Sequence, residues 1–167
     1  MDGVHVHMSN TMNTPVEVLE TAYPLRVERY ELRPDSGGAG QFRGGLGLRR
    51  DISVRDHTAT FSLLADRQRH APYGLAGGGG GDPGSAYRID PDDGEREETR
   101  LPGKSTHDLS PGTTVSLRTP GAGGYGPPRA RDPAALAADL RFGKVTESAA
   151  RSQYGADLVE AALDLLD

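Results

Sequence analysis

The sequence predicts an α+β fold that is mainly β, in which short antiparallel strands form a sandwich or barrel-like body, with glycine-rich loops and a small helical segment at the C-terminus. Two observations predict it. Gly (23) and Pro (12) together exceed a fifth of the 167 residues and hydrophobic residues make up only 35%, a composition that favours short strands and tight turns. Several segments also alternate apolar and polar residues, and no strand–helix–strand alternation connects them.

Four predicted strands carry the period-two pattern. In 24–32, Leu25 and Val27 share one phase and Tyr30 and Leu32 the other, which predicts a bulge or irregularity in that strand. The other three strands each place apolar residues on a common face, and one of them is interrupted by Arg50. Those apolar residues are Leu46, Leu48, Ile52 and Val54; Ala59, Phe61 and Leu63; and Val115 and Leu117.

Three glycine clusters, 37–47, 74–84 and 120–126, separate the strands and permit close approach of backbones. The acidic stretch 89–100 predicts an exposed hairpin tip or loop. We therefore expect one domain, with a β-rich body at 1–126 and a helical tail at 127–167.

The helical tail has clear start and stop signals. Asp132 followed by Pro133 predicts an N-cap and first helical residue, and a second helix is predicted from Thr146 to Tyr154, ending at Gly155. The last segment places apolar residues at helical spacing: Leu158, Ala161, Ala162 and Leu165.

The composition excludes several classes of function. A net charge of −5 with scattered arginines argues against nucleic-acid binding, which needs a cationic surface. The absence of cysteine excludes a disulfide framework and a thiolate nucleophile or zinc ligand. No apolar run reaches the ~20 residues of a membrane span, and no secretory signal pattern opens the chain. We expect a soluble, cytoplasmic protein.

Two segments resemble nucleotide-binding motifs, but neither meets all the requirements for binding a nucleotide. Lys104 lies in a Gly-Lys-Ser sequence, but the glycine that a phosphate-binding loop requires five residues before Gly103 is replaced by Glu98. Residues 121–126 match the dinucleotide fingerprint literally, but the proline-rich sequence that follows cannot form the helix that receives the pyrophosphate.

The N-terminal stretch HVHMSNTMNTPVE, residues 5–17, holds the candidate metal ligands. His5 and His7 would project from the same side of a strand, as two ligands of one metal ion do. The alternative is a polar strand face with two solvated histidines. His57, His70 and His107 are isolated in the sequence, and surface imidazoles are the simpler interpretation of each.

Five segments together resemble, in order and spacing, the C-terminal part of the hydantoinase B/oxoprolinase family, which also includes the acetone carboxylase α subunit. They are HVHMSNTMNTPVEVLE, YPLRVERYELRPDSGGAGQFRGGLGLRRDI, DRQRHAPYGLAGGGGGDPG, LPGKSTHDLSPGT and TPGAGGYGPPRARDPAALAADLRFGKVTESAARSQYG. The resemblance extends from about Asp2 to Gly155. It implies a portion of a larger architecture whose upstream part is missing before Met1, so we expect a C-terminal fragment, a split subunit or a truncated remnant.

The resemblance implies a component for ATP-dependent hydrolytic opening of a cyclic amide, 5-oxoproline or a hydantoin. An ATP-using subunit of the hydantoinase A type would phosphorylate the ring carbonyl oxygen, and ATP would bind that partner and not this chain. The B-type subunit would complete hydrolysis with water as the nucleophile, because an amide carbonyl is a poor electrophile until its oxygen is activated. Expected partners are the A-type subunit and an upstream B-type polypeptide, and exposure of the face meant for the latter predicts oligomerisation.

The resemblance also suggests site residues. It places His5, His7, Asn10 and Asn13 toward the substrate. The histidine pair is the candidate for binding a divalent Mn or Zn ion on the ground of its spacing. Arg67 and Lys104 are further candidates, as cations for a carboxylate or phosphate. The glycine loops at 77–81 and 121–126 would bring backbone N–H groups to an oxyanion.

Departures from the family pattern at Thr113, Ala122 and Pro127 keep two other interpretations open. One is a non-catalytic assembly module or a remnant of such an enzyme. The other is an unrelated β-rich binding domain whose glycine loops hold a small ligand.

Overall fold

The computed structural model describes residues 2–3, 13–91 and 98–166. Within these ranges the helices are α1 (Val16–Ala22), α2 (Pro133–Arg141), α3 (Glu147–Tyr154) and α4 (Ala156–Leu163), with a short 3₁₀ helix at Pro128–Ala130. The strands are β1 (Leu25–Leu32), β2 (Leu48–Val54), β3 (Ala59–Leu64), β4 (Ser85–Ile89), β5 (Glu98–Arg100), β6 (Lys104–Leu109) and β7 (Thr114–Arg118). The mixed, mainly antiparallel α+β class predicted from the sequence is confirmed.

Five strands form one antiparallel sheet in the order β1-β2-β7-β4-β5. The predicted irregularity in β1 is confirmed, because its register against β2 shifts between Val27 and Arg29. Leu25 and Val27 therefore pair with Val54 and Ile52, and Tyr30 and Leu32 pair with Arg50 and Leu48. All four partners lie on the same face of β2. The bulge keeps both halves of β1 in phase with the apolar positions of its neighbour.

A second sheet, β3 with β6, packs against the apolar side of the first. Val54 and Val115 form one buried cluster with Leu109 of β6, and Leu63 of β3 forms another with Ala86 and Leu101. Of the two predicted arrangements, the structure has the face-to-face sheets. The barrel-like alternative is wrong for the described strands, since both sheets are open at their edges.

The three glycine clusters lie side by side and bond to one another through their backbones. The Gly38 amide donates to Ala122 O at 2.9 Å, Gly79 N to Ala39 O at 2.7 Å and Gly124 N to Gly79 O at 2.9 Å. A Cβ atom on Gly44 would lie 2.0 Å from Ala122 O. Such contact is possible only without side chains, so the glycines allow this loop packing.

The helical tail forms its own apolar cluster. Asp132 caps α2 by accepting a hydrogen bond from Ala134 N at 3.0 Å, and Thr146 caps α3 by accepting one from Ala149 N at 3.3 Å, as predicted. Ala39 of the first glycine loop packs into this cluster, which therefore joins the tail to the β body. The buried tail residues are Leu136, Ala137, Val145, Ala150, Tyr154, Val159 and Ala162.

Some elements differ from the sequence prediction. Helix α1 and strands β4, β5 and β6 lack the apolar periodicity that identified the others; α1 buries no residue, and β6 alternates exposed and half-buried polar residues. Leu165 was predicted on the last helix but follows its end and is exposed.

No helix in the described ranges is long and apolar enough to cross a bilayer. The division at residue 126 stays a prediction.

Candidate functional site

The described residues on either side of positions 4–12, the segment that carries His5 and His7 (the histidine segment), are held beside strands β1 and β2. At its start, Gly3 N donates to Leu46 O and Leu46 N donates to the Asp2 carboxylate, each at 3.0 Å. At its end, the Asn13 side-chain amide donates to the Tyr30 hydroxyl. His5, His7 and Asn10 lie outside the described residues, so their predicted roles stay predictions.

A buried ion cluster holds Asp2 in place. The Arg43 guanidinium donates to the Asp139 carboxylate from Nε at 2.9 Å and from Nη2 at 3.1 Å. It also donates to Asp2 from Nη1 at 2.9 Å and from Nη2 at 3.4 Å, and to Gly44 O at 2.6 Å. All five N–H groups of Arg43 are therefore used, and they join the N-terminus, the first glycine loop and helix α2.

Two more cations complete this cluster. Arg131 donates to Asp139, and Lys144 Nζ lies 2.9 Å from Asp2 Oδ2. Burial by itself would raise the pKa of Asp2, but hydrogen bonds from Arg43, the Leu46 amide and Lys144, with the charge of Arg43, outweigh it. The pKa of Asp2 consequently lies well below its ordinary range, and Asp2 stays ionised in moderately acidic solution.

This lowered pKa predicts a pH dependence of stability. The contribution of Asp2 is fully present above its unfolded pKa of about 4 and is lost as the pH falls toward the folded value, because only the unfolded chain then takes up the proton. In Asp2→Asn we expect a lower free energy of unfolding at neutral pH and a shallower decrease below pH ~4. Urea titrations from neutral to acid pH check this, and equal slopes in the two proteins would contradict it.

Arg50 and Tyr30 lie next to each other on the face of strands β1 and β2 that the histidine segment meets. They are register partners on β2 and β1, and the Arg50 Cζ atom lies 5.4 Å from the centroid of the Tyr30 ring. Leu48, which the backbone of Gly3 approaches, is the next residue on the same face of β2. Both ends of the histidine segment thus meet this part of the β1–β2 face, and the face is our candidate functional site.

Two other predicted residues lie elsewhere. Lys104 is exposed at the start of β6, opposite Leu64 in the register. Arg67 is exposed in the turn after β3, and its carbonyl accepts a hydrogen bond from Gly84 N, next to β4. Since β4 is three strand spacings from β1, about 14 Å, the structure does not bring Arg67 to Asn13 and Tyr30. The binding roles of Arg67 and Lys104 stay predictions.

Most amides of the glycine loops at 77–81 and 121–126 are already bonded to backbone carbonyls. The amides of Gly78, Gly79, Gly81, Gly121, Ala122, Gly124, Tyr125 and Gly126 each donate to a backbone carbonyl within or between the loops. The expectation of an oxyanion site is wrong for these amides, because the sequence does not reveal which carbonyls the loops meet once they pack. Their hydrogen bonds support the fold.

The described residues do not form a metal centre. No group of three or more His, Asp or Glu side chains that could hold an ion occurs in the described part of the chain. The predicted metal site at His5 and His7 stays a prediction, because both residues lie outside the described ranges.

Several interacting residues were missed from the sequence. Asp51 lies buried on the other face of β2, 2.8 Å from Arg49 Nη2 and 3.7 Å from Arg29 Nε, and no local sequence pattern indicates these ion pairs. Arg43 and Asp139 gave no local signal, since 96 residues separate them. Arg50 did give one, because it interrupts an apolar face.

Comparison with known proteins agrees with the resemblance. The family model described as Hydantoinase B/oxoprolinase matches residues 1–128. A putative B-type subunit of a D-/L-hydantoinase from Pseudomonas sp. is 37% identical over 163 residues, which is 96% of this chain and 27% of that protein. The 5-oxoprolinase 1 of Arabidopsis thaliana is 40% identical over 124 residues, 74% of this chain and 10% of that protein.

A solved structure shows the same fold. The ATP-dependent caprolactamase from Pseudomonas jessenii superposes with a TM-score of 0.75 and 32% identity, over 92% of this chain and 28% of the caprolactamase chain. The chain thus spans about a quarter of the bacterial relatives and about a tenth of the plant protein.

Proposed function

Because this chain belongs to the hydantoinase B/oxoprolinase family, we propose that it is a component for ATP-dependent hydrolytic opening of a cyclic amide. The likeness to an ATP-dependent caprolactamase over 92% of the chain is the observation that carries the proposal. In the overall reaction the ring C–N bond and the terminal phosphoanhydride bond of ATP break, two waters are consumed, and the products are the ring-opened amino acid, ADP and phosphate. Activation by phosphorylation is needed because an amide carbonyl resists attack by water.

In this proposal the chain acts with other polypeptides. A hydantoinase A-type subunit uses ATP, and an upstream B-type polypeptide completes the B-type body. An exposed apolar row on the glycine loops supports such docking: Phe42 and Leu75 each bridge to Tyr125, and the Phe42 and Tyr125 ring centroids are 6.3 Å apart. These three side chains are 54 to 64% exposed, and an apolar patch of this kind is typical of an interface.

Reconstitution tests this function. The chain is mixed with candidate A-type and B-type polypeptides, and ring-opened product from 5-oxoproline, hydantoin or caprolactam is measured with and without ATP. We expect ATP-dependent product only when the chain is present, and copurification of the three polypeptides. Equal product with and without the chain would refute a catalytic contribution.

A non-catalytic assembly module is the second candidate. It is favoured by one observation within the described ranges: eight amides of the glycine loops at 77–81 and 121–126, which could otherwise bind an oxyanion, donate to backbone carbonyls. Complex formation in the reconstitution without any effect on product would select this candidate.

The metal-binding role of His5 and His7 is a separate part of the proposal. We expect His5→Ala/His7→Ala to reduce Mn²⁺ or Zn²⁺ uptake by the chain, because neutral imidazoles are common ligands of these ions. Metal content after dialysis is measured by mass spectrometry. The matched control is His57→Ala/His70→Ala, which removes the same number of imidazoles. Equal metal content in all three proteins would exclude the histidine pair.

A further inference from the structure

Arg50 is a cation on the apolar face of a central strand. Arg50 lies on the same face of β2 as Leu48, Ile52 and Val54. Its register partner on β7 is Leu117. Val54 and Leu117 belong to the apolar cluster between the two sheets. Arginine is always charged and is rarely placed on such a face without a partner.

The other arginines of the central strands do have acidic partners. Arg49 pairs with Asp51 at 2.8 Å, Arg118 with Glu98 at 2.6 Å and Arg88 with Asp90 at 2.8 Å. Among the described residues, no carboxylate lies within 4.0 Å of Arg50. The adjoining segment 4–12 contains no acidic residue in its sequence. Arg50 therefore has a charge that nothing nearby in the described chain neutralises.

One buried N–H donor of Arg50 is also unused within the described ranges. The Nε atom of Arg50 is buried and has no hydrogen-bond partner among the described residues. A buried N–H of a cation is unfavourable unless it finds an acceptor, so an unpaired one in a native fold indicates a ligand or a partner. A guanidinium provides two parallel N–H groups that match the two oxygens of a carboxylate.

A second donor lies beside Arg50. The Tyr30 hydroxyl oxygen accepts a hydrogen bond from Asn13, so its own hydrogen is free to be donated to a ligand. Tyr30 is 44% exposed, so a ligand can reach this residue from solvent. The Tyr30 ring under the guanidinium fixes the orientation of Arg50 by a cation–π contact.

We propose that Arg50, Tyr30 and Asn13 form a subsite for the carboxylate of a cyclic amide substrate. The proposal rests on the proposed function and narrows it. The ring amides named for the relatives differ in this respect, since 5-oxoproline has a carboxylate and caprolactam has none. Arg50 would thus select a cyclic amide with an acidic substituent, and the apolar residues Leu48 and Ile52 suit the ring methylenes.

The test compares two lactams that differ only in the carboxylate, 5-oxoproline and 2-pyrrolidinone, and uses inorganic phosphate as a second anion. Binding of 5-oxoproline, 2-pyrrolidinone and inorganic phosphate to the full chain is measured by calorimetry or ligand-observed NMR. We expect 5-oxoproline to bind more tightly than 2-pyrrolidinone by about tenfold or more, and Arg50→Gln to abolish that difference. Arg26→Gln is the matched control, because Arg26 lies on β1 with an exposed side chain and its own acidic neighbour, Glu28.

Further variants keep the result clear if Arg50→Gln does not fold. Arg50→Lys retains the charge but not the paired N–H groups, and Tyr30→Phe retains the ring but not the hydroxyl. Each should weaken 5-oxoproline binding several-fold and leave 2-pyrrolidinone binding unchanged. Circular dichroism confirms the fold of each variant.

Three results would overturn the subsite. They are unchanged 5-oxoproline binding in folded Arg50→Gln, no binding of any probe to the wild type, and equal binding of the two lactams. If the lactams bind equally while phosphate binding depends on Arg50, the anion recognised is a phosphoryl group and not a substrate carboxylate. Reconstituted turnover separates the two proposals: ring opening without preference for 5-oxoproline removes only the subsite, whereas Arg50-dependent binding without turnover removes only the proposed function.

Discussion

Replacing Arg43 by methionine is expected to lower the free energy of unfolding by about 3 to 5 kcal/mol, because it leaves the buried carboxylates of Asp2 and Asp139 without their shared cation. Methionine is unbranched and reaches about as far as the aliphatic stem of arginine, so it keeps the packing of that stem. Chemical denaturation followed by circular dichroism measures the change. The loss should be largest at neutral pH, where both carboxylates are ionised.

Two further variants isolate the contribution of the Arg43 guanidinium. Arg26→Met removes an exposed arginine that lies 3.7 Å from Glu28, and it should change stability by less than about 1 kcal/mol. Adding Asp2→Asn to Arg43→Met should recover part of the loss, because one of the two unpaired charges is then absent. If Arg43→Met is as stable as Arg26→Met, the ion cluster does not hold the N-terminus and helix α2 together.

Gly44→Ala is expected to destabilise the protein by at least about 3 kcal/mol or to prevent folding. The added Cβ would lie 2.0 Å from Ala122 O and 2.6 Å from the Ala122 carbonyl carbon. Those atoms are backbone, and Ala122 N is itself hydrogen-bonded to Gly45 O at 2.8 Å, so neither loop can move away without losing bonds to the other. Soluble yield and the midpoint of thermal unfolding measure the effect.

The matched control is Gly79→Ala in the neighbouring loop. A Cβ there would meet Ala39 atoms at 3.4 to 3.9 Å, which is ordinary contact. We expect Gly79→Ala to fold with nearly the wild-type stability. If the two alanine variants are equally stable, the loops do not depend on close backbone approach, and the many glycines of this chain need another explanation.

Both predictions concern contacts that place the candidate site. The Arg43 cluster fixes Asp2 and the glycine loops fix the strand ends around Leu46, so together they position the start of the segment that carries His5 and His7. A substitution at Arg43 or Gly44 can therefore impair ligand or metal binding without touching a ligand. Stability has to be measured alongside binding in every variant of this region.

Much of the fold was predictable from local patterns. Alternating apolar residues identified β1, β2, β3 and β7, and the phase change between Val27 and Tyr30 identified the bulge. Capping residues identified the starts of α2 and α3. Strand β6 could not be found in this way, because its pairing with β3 is set by backbone hydrogen bonds and its side chains are mostly polar.

The sequence by itself determined the β-rich class, the helical tail and the family resemblance, since periodicity, capping and motif order are properties of neighbouring residues. Only the tertiary structure decided that the glycine loops bond to one another, that Arg43 joins Asp2 to Asp139, and that Arg50 faces Tyr30 without a carboxylate partner among the described residues. These contacts join positions far apart in the chain, and what each polar group finds there depends on how the two sheets, the loops and the helices pack.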